Sequence, residues 1–305
     1  MRHLLLLLAA TTSLALAAPA AAGPAEELTA IADEYWAAYL RANPTYASQI
    51  GHREFDAELG DVSLAAADRQ AALAASLLAR LNAIPDTALP AADRTNKAIL
   101  KRTLETAVTG NRFGQRMILF TNRSGWHQNL ADLADGLTFR GKTDYENYLK
   151  RLAAYPAYND EALSVSARAL DEGFVLPCAA MVGFEETIAG VIPADPAQSR
   201  IYRPFAAERP ANISAADWTA LQSRARSLIE AQLRPAYAKH LAWYRDRYAP
   251  RCAKSAGISA QPNGRAYYDW LIGQYTTTDM DADQIHAIGL AEVARIRSDM
   301  EKVAK

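Results

Sequence analysis

The histidines are the side chains of this sequence best suited to acid–base chemistry or to metal binding. Histidine changes charge near neutral pH, and it is the commonest metal ligand in proteins. Apart from His3, the sequence contains His52, His127, His240 and His286. No two of them are spaced i, i+4, and none begins an H-E-x-x-H motif, which would place two zinc ligands on one face of a helix. The sequence therefore predicts no zinc site of the common helical kind in this chain.

Three short stretches combine residue types that could line a binding site. The loop-like run 123–127, with the sequence RSGWH, brings together a cation, a hydroxyl, an aromatic ring and an imidazole. His240 lies in a predicted helix beside Trp243 and Tyr244, and the pair Glu185–Glu186 supplies two carboxylates. Adjacent helical residues point in different directions, so the glutamates are more typical of a solvated face than of an acid–base pair. For 123–127 the favoured interpretation is a surface loop, and for His240 it is a packing or surface histidine.

No other catalytic motif is present, and the composition excludes two further classes of protein. The sequence lacks a G-x-S-x-G elbow, a P-loop and a G-x-G-x-x-G fingerprint. It therefore assigns no catalytic, cofactor-binding or metal-ligating residue. With 50% hydrophobic residues and a formal net charge of −1, the 305-residue chain is neither a disordered protein nor one that binds nucleic acid by neutralising its backbone.

The first 22 residues have the pattern of a cleaved secretory signal peptide. Arg2 supplies a basic start, 4–16 is an apolar stretch too short to span a membrane, and 20–22 is an A-x-A site followed by Gly23. We therefore expect a secreted or periplasmic protein with no stable membrane span after cleavage.

Export changes the interpretation of the two cysteines, Cys178 and Cys252, since a disulfide can persist in an oxidising compartment. A disulfide between them would stabilise the fold by about 4–5 kcal/mol in the chain-entropy model. The alternative is a pair of buried free thiols.

The elements that must position these residues are predicted to be helices almost throughout. Alanine, the best helix former, is abundant, and apolar residues recur at helical spacing. Helix starts are predicted at Pro24, Ser63, Thr143, Ser214 and Asp281 from their capping patterns. Pro156 and Pro235 should kink or break long helices, and the proline-rich stretch 191–212 reads as a long loop. The predicted fold is all-α, an irregular array of long kinked helices with little or no sheet. Residues 23–305 form one helical domain.

The last part of the sequence resembles a known bacterial family. From Pro262 it reads PNGRAYYDWLIGQYTTTDMDADQIHAIGLAEVARIRSDMEKVAK, and 276–296 is the most specific stretch. Together with 148–152, 156–158, 173–177 and 234–237, these motifs resemble the family called domain of unknown function 885, over most of the chain after the leader.

The resemblance implies a gluzincin-like, all-helical zinc peptidase of carboxypeptidase type. Family members carry an H-E-x-x-x-G-H-H-type zinc motif in a C-terminal half that this sequence does not include, so zinc is expected only there. No family ligand can be transferred to a position of this chain. The matching residues therefore have no chemical role that the sequence can state; they are Tyr275, Thr276, Thr277, His286, Gly289, Glu292 and Arg295. Their structural interpretations are helix caps, a close helix approach at Gly289 and an i, i+3 ion pair between Glu292 and Arg295.

Three functional hypotheses follow. In the first, the chain is the N-terminal part of a zinc metallopeptidase, inactive alone, and its partners are a peptide substrate or the missing C-terminal half. In the second, it is a stand-alone periplasmic helical module that binds a peptide or protein. The third, an enzyme with its own unrecognised site, is the weakest, because the sequence contains no known catalytic motif.

Overall fold

A computed structural model describes residues 23–304, and it confirms the all-α prediction. Helices follow one another along this range, and the only strand-like feature within it is an isolated bridge between Pro177 and Ala253. The predicted signal peptide, 1–22, lies outside the described residues. No helix in the described range is both long enough and apolar enough to cross a membrane.

The first part of the chain forms a small helical layer with its own core. Its helices are α1 (Pro24–Ala42), α2 (Pro44–Gln49), α3 (Leu64–Asn82) and α4 (Ala91–Gly110). Leucine and isoleucine at helical spacing face inward from α1, α3 and α4 and bury one another, as an amphipathic pattern predicts. The core residues are Leu28, Ile31, Ala74, Leu77, Leu81, Ile84, Leu89 and Leu104.

The larger core lies between α5 (Trp126–Asp132), α6 (Lys142–Asp171), α7 (Phe184–Ala189), α8 (Arg203–Ala206), α9 (Ala215–Leu228) and α10 (Arg234–Trp243). It is rich in aromatic rings, and the 30-residue helix α6 contributes thirteen buried residues to the interior. Because α5, α6 and α10 all meet in this core, side chains that are far apart in the sequence come into contact there.

Most of the predicted helix starts are confirmed, and one is wrong. Ser63, Ser214 and Asp281 each accept a hydrogen bond from a backbone N–H of the first turn. Thr143 does not cap α6, which begins one residue earlier at Lys142. The Asp144 carboxylate instead accepts from the backbone N–H of Gly141, so the acid three residues beyond Gly141 supplies the cap and Thr143 is already helical.

The prolines disturb the helices less than predicted. Helix α6 continues through Pro156 without a break, because residues on both sides of it, such as Leu152 and Asn159, are fully buried by packing. Before Pro235 the chain makes a π-helical turn, Ile229–Leu233, between α9 and α10. A proline has no N–H for the usual i−4 carbonyl, and such a wider turn accommodates the mismatch.

The proline-rich stretch 191–212 is part of the core rather than an open loop. It contains short helical turns and α8, and it buries Ile201, Tyr202 and Phe205 almost completely. The Tyr148 hydroxyl of α6 donates a hydrogen bond to the Ile201 carbonyl at 3.0 Å, which anchors the stretch to the long helix.

The chain ends in α11 (Gly264–Thr276) and α12 (Ala282–Val303). Trp270 of α11 contacts Phe113 at 5.4 Å between ring centroids, and Arg102 of α4 donates to the Gln274 carbonyl, so α11 packs on the first layer. In contrast, α12 has no buried residue.

Candidate functional site

The structure brings together two of the histidines that the sequence singled out separately. His127 on α5 and His240 on α10 are fully buried, and their ring centroids lie 5.2 Å apart. Trp126 stacks on His240 at 4.2 Å with nearly parallel rings, and Phe184 contacts His127 at 5.2 Å. The two imidazoles are therefore enclosed by aromatic rings rather than by water.

The hydrogen bonds of His127 define its tautomer. The Thr187 hydroxyl donates to the Phe184 carbonyl at 2.6 Å, so its proton is already used. His127 Nε2 lies 2.9 Å from the same hydroxyl oxygen and must therefore be the donor. This leaves His127 Nδ1 as a bare acceptor, and it has no hydrogen-bond partner within residues 23–304.

His240 is the more isolated of the two rings. Neither of its ring nitrogens has a hydrogen-bond partner in the part of the chain that the structure describes. Burial lowers the pKa of His127 to about 4. For His240 burial is again the larger cause, the nearby His127 adds to it, and the pKa falls to about 3. Both imidazoles are neutral at neutral pH.

Gly125 makes room for the His127 ring. A Cβ atom at Gly125 would lie 2.9 Å from both Cε1 and Nδ1 of His127 and 3.0 Å from the Phe120 side chain. The backbone of Gly125 is extended, so glycine is needed here for space and not for its conformation. Arg123 and Ser124 are exposed, whereas 125–127 are buried and form the start of α5, so the surface-loop interpretation is wrong for these last three residues.

A polar network fixes Trp126 on the other side of the cluster. The Trp126 indole N–H donates to the Asn159 amide oxygen at 2.8 Å, and the Asn159 amide nitrogen donates to the Ala236 carbonyl. The Tyr237 hydroxyl donates to the His127 carbonyl at 2.7 Å. Helices α5, α6 and α10 are therefore tied together by side chains in the interior, where lost hydrogen bonds are costly.

The described residues do not fit a zinc ion. Zinc sites in proteins use three or four nitrogen, sulfur or oxygen ligands. Within residues 23–304 no group of three His, Cys, Asp or Glu side chains could share a metal. His127 and His240 lack a third ligand and any negative charge to balance a dication in an apolar core.

The remaining candidate residues lie apart from this cluster. His52 lies near Glu54, and His286 is exposed on α12. Glu185 forms an ion pair with Arg245, which agrees with the solvated-face interpretation. The Cα atoms of Cys178 and Cys252 lie 5.0 Å apart, at the distance of a disulfide.

A cleft of about 270 Å³ opens beside Trp126. Its walls come from α2 and the chain that follows it, from α5 and the turn after it, and from α6. The lining residues are Thr45, Gln49, Leu59, Trp126, Asn129, Leu130, Asp132, Leu133, Tyr155 and Tyr158. No histidine lines it, so the cleft and the histidine cluster share only the indole between them.

The second feature without an evident structural purpose is the apolar stripe of α12. The stripe consists of Ile285, Gly289, Val293, Ile296, Met300 and Val303, the 3–4 repeat that predicts a packing face. Val293, Ile296 and Met300 are 59%, 47% and 67% exposed. Apart from the backbone of α12 itself, no atom of residues 23–304 lies within 4 Å of where a Gly289 Cβ would be, so no other helix of this range approaches closely there.

The residues of the family-like motif fall on this part of the chain. Tyr275 is 83% exposed, and Thr277 ends α11 with a left-handed backbone (φ 58°). Thr276 donates to the Ile272 carbonyl one turn earlier, as a helix-end residue can. The predicted pair of Glu292 and Arg295 is present at 2.8 Å. Structural interpretations account for Thr276, Thr277, Glu292 and Arg295, but not for Tyr275, His286 or Gly289. None of these residues lines the cleft.

A family model described as "Bacterial protein of unknown function (DUF885)" matches residues 44–305. The chain belongs to the DUF885 family. Among solved structures, the chain resembles "the putative lipoprotein from Colwellia psychrerythraea" with a TM-score of 0.79 and 17% sequence identity. The match covers 91% of this chain and 50% of that one, so the chain spans about half the length of that protein, and the likeness shows the helical fold. No curated protein matches the chain.

Sequence reasoning missed the cleft and the pairing of the histidines. The residues of the cleft come from three elements and include ordinary packing types such as Leu59 and Leu130, which carry no motif. The one available signal was the density of polar and aromatic residues around Trp126 and Tyr155.

Proposed function

We propose that the chain is an exported helical docking half of a DUF885 protein, and that the stripe of α12 packs against the half that this chain does not cover. The observation that carries the proposal is the exposure of a whole amphipathic helix. Ile296 and Met300 are 47% and 67% exposed, so burying what remains would contribute about 1–2 kcal/mol for each. A row of them along one helix face is typical of a surface made for another helix.

The length of the solved relative supports this assignment. A protein with the same fold over 91% of this chain has as much sequence again beyond the matched half. In the proposal, a second half of that size packs against the stripe of α12. The charges along α12 favour a protein surface over a nucleic acid, because its acidic and basic residues nearly balance. The acidic ones are Asp283, Glu292, Asp299 and Glu301, and the basic ones are Arg295, Arg297 and Lys302.

In this proposal zinc and peptide-bond hydrolysis belong to the docked half. The resemblance to zinc peptidases implies a peptide as substrate, while residues 23–304 do not fit the metal. We therefore derive no catalytic step for this chain. Alone, it should bind no stoichiometric zinc and cleave no peptide, and zinc at one ion per chain by elemental analysis would contradict the proposal. The signal-peptide pattern of 1–22 supports export, so the proposal includes an assembled protein outside the cytoplasm.

Sedimentation equilibrium tests the docking directly. The purified protein should be a monomer at micromolar concentration and should form a one-to-one complex with the separately produced half of the Colwellia protein that the match leaves uncovered. Ile296→Asp should weaken that complex at least tenfold, because an unpaired charge would be buried in the stripe. Ser298→Asp adds the same charge on the opposite face of α12 and is the matched control.

Two outcomes would overturn the proposal. If no complex forms with the second half, that half does not cover the stripe of α12 and the proposal fails. A dimer of this chain that Ile296→Asp dissociates and Ser298→Asp does not would show that a second copy covers the stripe.

A further inference from the structure

The cleft beside Trp126 has a lining that selects for uncharged ligands. Asp132 is its only charged lining residue, and Arg200 forms an ion pair with that carboxylate. No lysine, arginine or histidine lines the cleft. A carboxylate or phosphate would therefore lose its hydration without gaining a cation, and a free cation would find its one counter-charge already paired.

Several polar groups in the cleft are free to bond a ligand. The side chains of Thr45, Gln49, Asn129 and Tyr158 make no hydrogen bond to any residue in 23–304. Hydroxyl and amide groups both donate and accept. They suit a ligand that carries several hydroxyl groups, each of which also donates and accepts.

The apolar part of the lining is rigid. Trp126 is held by the stacked His240 ring and by its hydrogen bond to Asn159. Tyr155 stacks on Tyr237 at 5.2 Å between ring centroids. Trp126 and Tyr155 are only 4% and 1% exposed, so they fix the wall of the cleft in place and offer a ligand little open ring face.

We propose that this cleft binds a neutral saccharide of one or two rings. A sugar ring has an apolar face of C–H groups, which fits against the half-buried Leu59 and Tyr158 side chains, and an edge of hydroxyl groups, which fits the amides and hydroxyl of Gln49, Asn129 and Thr45. The volume of about 270 Å³ is at the lower end of ligand-pocket sizes and suits a small ligand rather than a long chain. The proposal does not depend on the docking function of α12.

Titration by nuclear magnetic resonance tests the proposal on the purified protein. The probes are methyl β-D-glucopyranoside, N-acetylglucosamine and cellobiose, and the readout is the side-chain amide signals of Gln49 and Asn129. We expect at least one sugar to shift them saturably in the millimolar range. Asn129→Leu and Tyr158→Leu should each weaken binding at least tenfold. Asn129 is exposed, so its replacement leaves the core intact.

Tyr268→Leu is the matched control, since Tyr268 is 45% exposed on α11 and does not line the cleft. It should leave the affinity unchanged. The absence of any saturable shift with all three sugars would overturn the proposal, as would equal weakening by Tyr268→Leu and Tyr158→Leu. Capped trialanine is the remaining probe. If it shifts the same amides while the sugars do not, the cleft is a peptide site and the saccharide assignment is wrong.

Discussion

Replacing His240 with phenylalanine should remove about half of the acid sensitivity that the buried histidine pair gives the protein. The pKa of histidine in an unfolded chain is about 6.5. Burial lowers the pKa of His127 to about 4 and that of His240 to about 3. As the pH falls below about 6.5, the unfolded chain takes up protons that the native protein excludes. The stability that depends on the neutral pair is therefore fully present above about pH 6.5 and is lost as the pH falls towards 4.

The size of the effect follows from the two pKa values of each ring. Some histidines stay neutral in the native state and take up a proton only in the unfolded chain. When the pH falls from about 7.5 to about 5, each such histidine lowers the free energy of unfolding by about 2 kcal/mol. Over this pH range the two histidines should together lower the free energy of unfolding of the unaltered protein by about 4 kcal/mol. The His240→Phe variant keeps only His127, so the same pH change should lower its free energy of unfolding by only about 2 kcal/mol. Phenylalanine preserves the stacking on Trp126, and His240 gives up no hydrogen bond to the described residues.

Urea unfolding at several pH values without reductant measures this difference. Carboxylates also titrate, but they contribute equally to both proteins, so the comparison isolates His240. His286→Phe is the matched control, since His286 is exposed on α12 and its replacement should leave the pH dependence unchanged. If His240→Phe and the unaltered protein lose the same free energy of unfolding between about pH 7.5 and about pH 5, within roughly 0.5 kcal/mol, the reasoning is refuted.

Three further predictions concern the packing, the cysteines and the leader. Gly125→Ala should lower the free energy of unfolding by about 1–3 kcal/mol, because its new methyl group collides with the His127 ring. Gly289→Ala should raise the free energy of unfolding slightly, because alanine is the better helix former and Gly289 lies on exposed α12. Chemical denaturation measures both changes. Alkylation without reductant should label neither Cys178 nor Cys252, and two labelled thiols would contradict the disulfide. Replacing both cysteines with serine should lower the free energy of unfolding by about 4 kcal/mol. Sequencing of the exported protein should find Gly23 at its N-terminus, and an intact leader would contradict cleavage.

The all-helical fold was predictable because its signals are local. Asp281 followed three residues later by Gln284 carries the whole capping box of α12, and each partner is present in the structure. The wrong helix start at Thr143 has the same origin, because two capping patterns overlap there. One pairs Thr143 with Glu146, and the other pairs Gly141 with Asp144. The Asp144 carboxylate, which also accepts from the Arg140 N–H, decides in favour of the earlier start.

The site was less predictable because it depends on contacts between distant segments. His127 and His240 belong to helices that α6, α7, α8 and α9 separate in the chain, and no spacing rule connects them. Pro156 and Pro235 show the same limit, because tertiary packing keeps α6 continuous and a π-helical turn absorbs the second proline. The stripe of α12, in contrast, is predicted from its 3–4 repeat, which is a local signal, and its residues Val293, Ile296 and Met300 are exposed in the structure.

Hydrogen exchange of α12 is the most direct test of the docking claim. In the protein alone, the amides of 285–303 should exchange much faster than those of α9, whose inner face is buried. Addition of the uncovered half of the Colwellia protein should slow exchange along 285–303 at least tenfold and leave α9 unchanged. Protection of α12 already in the protein alone, or no change when the second half is added, would contradict the account.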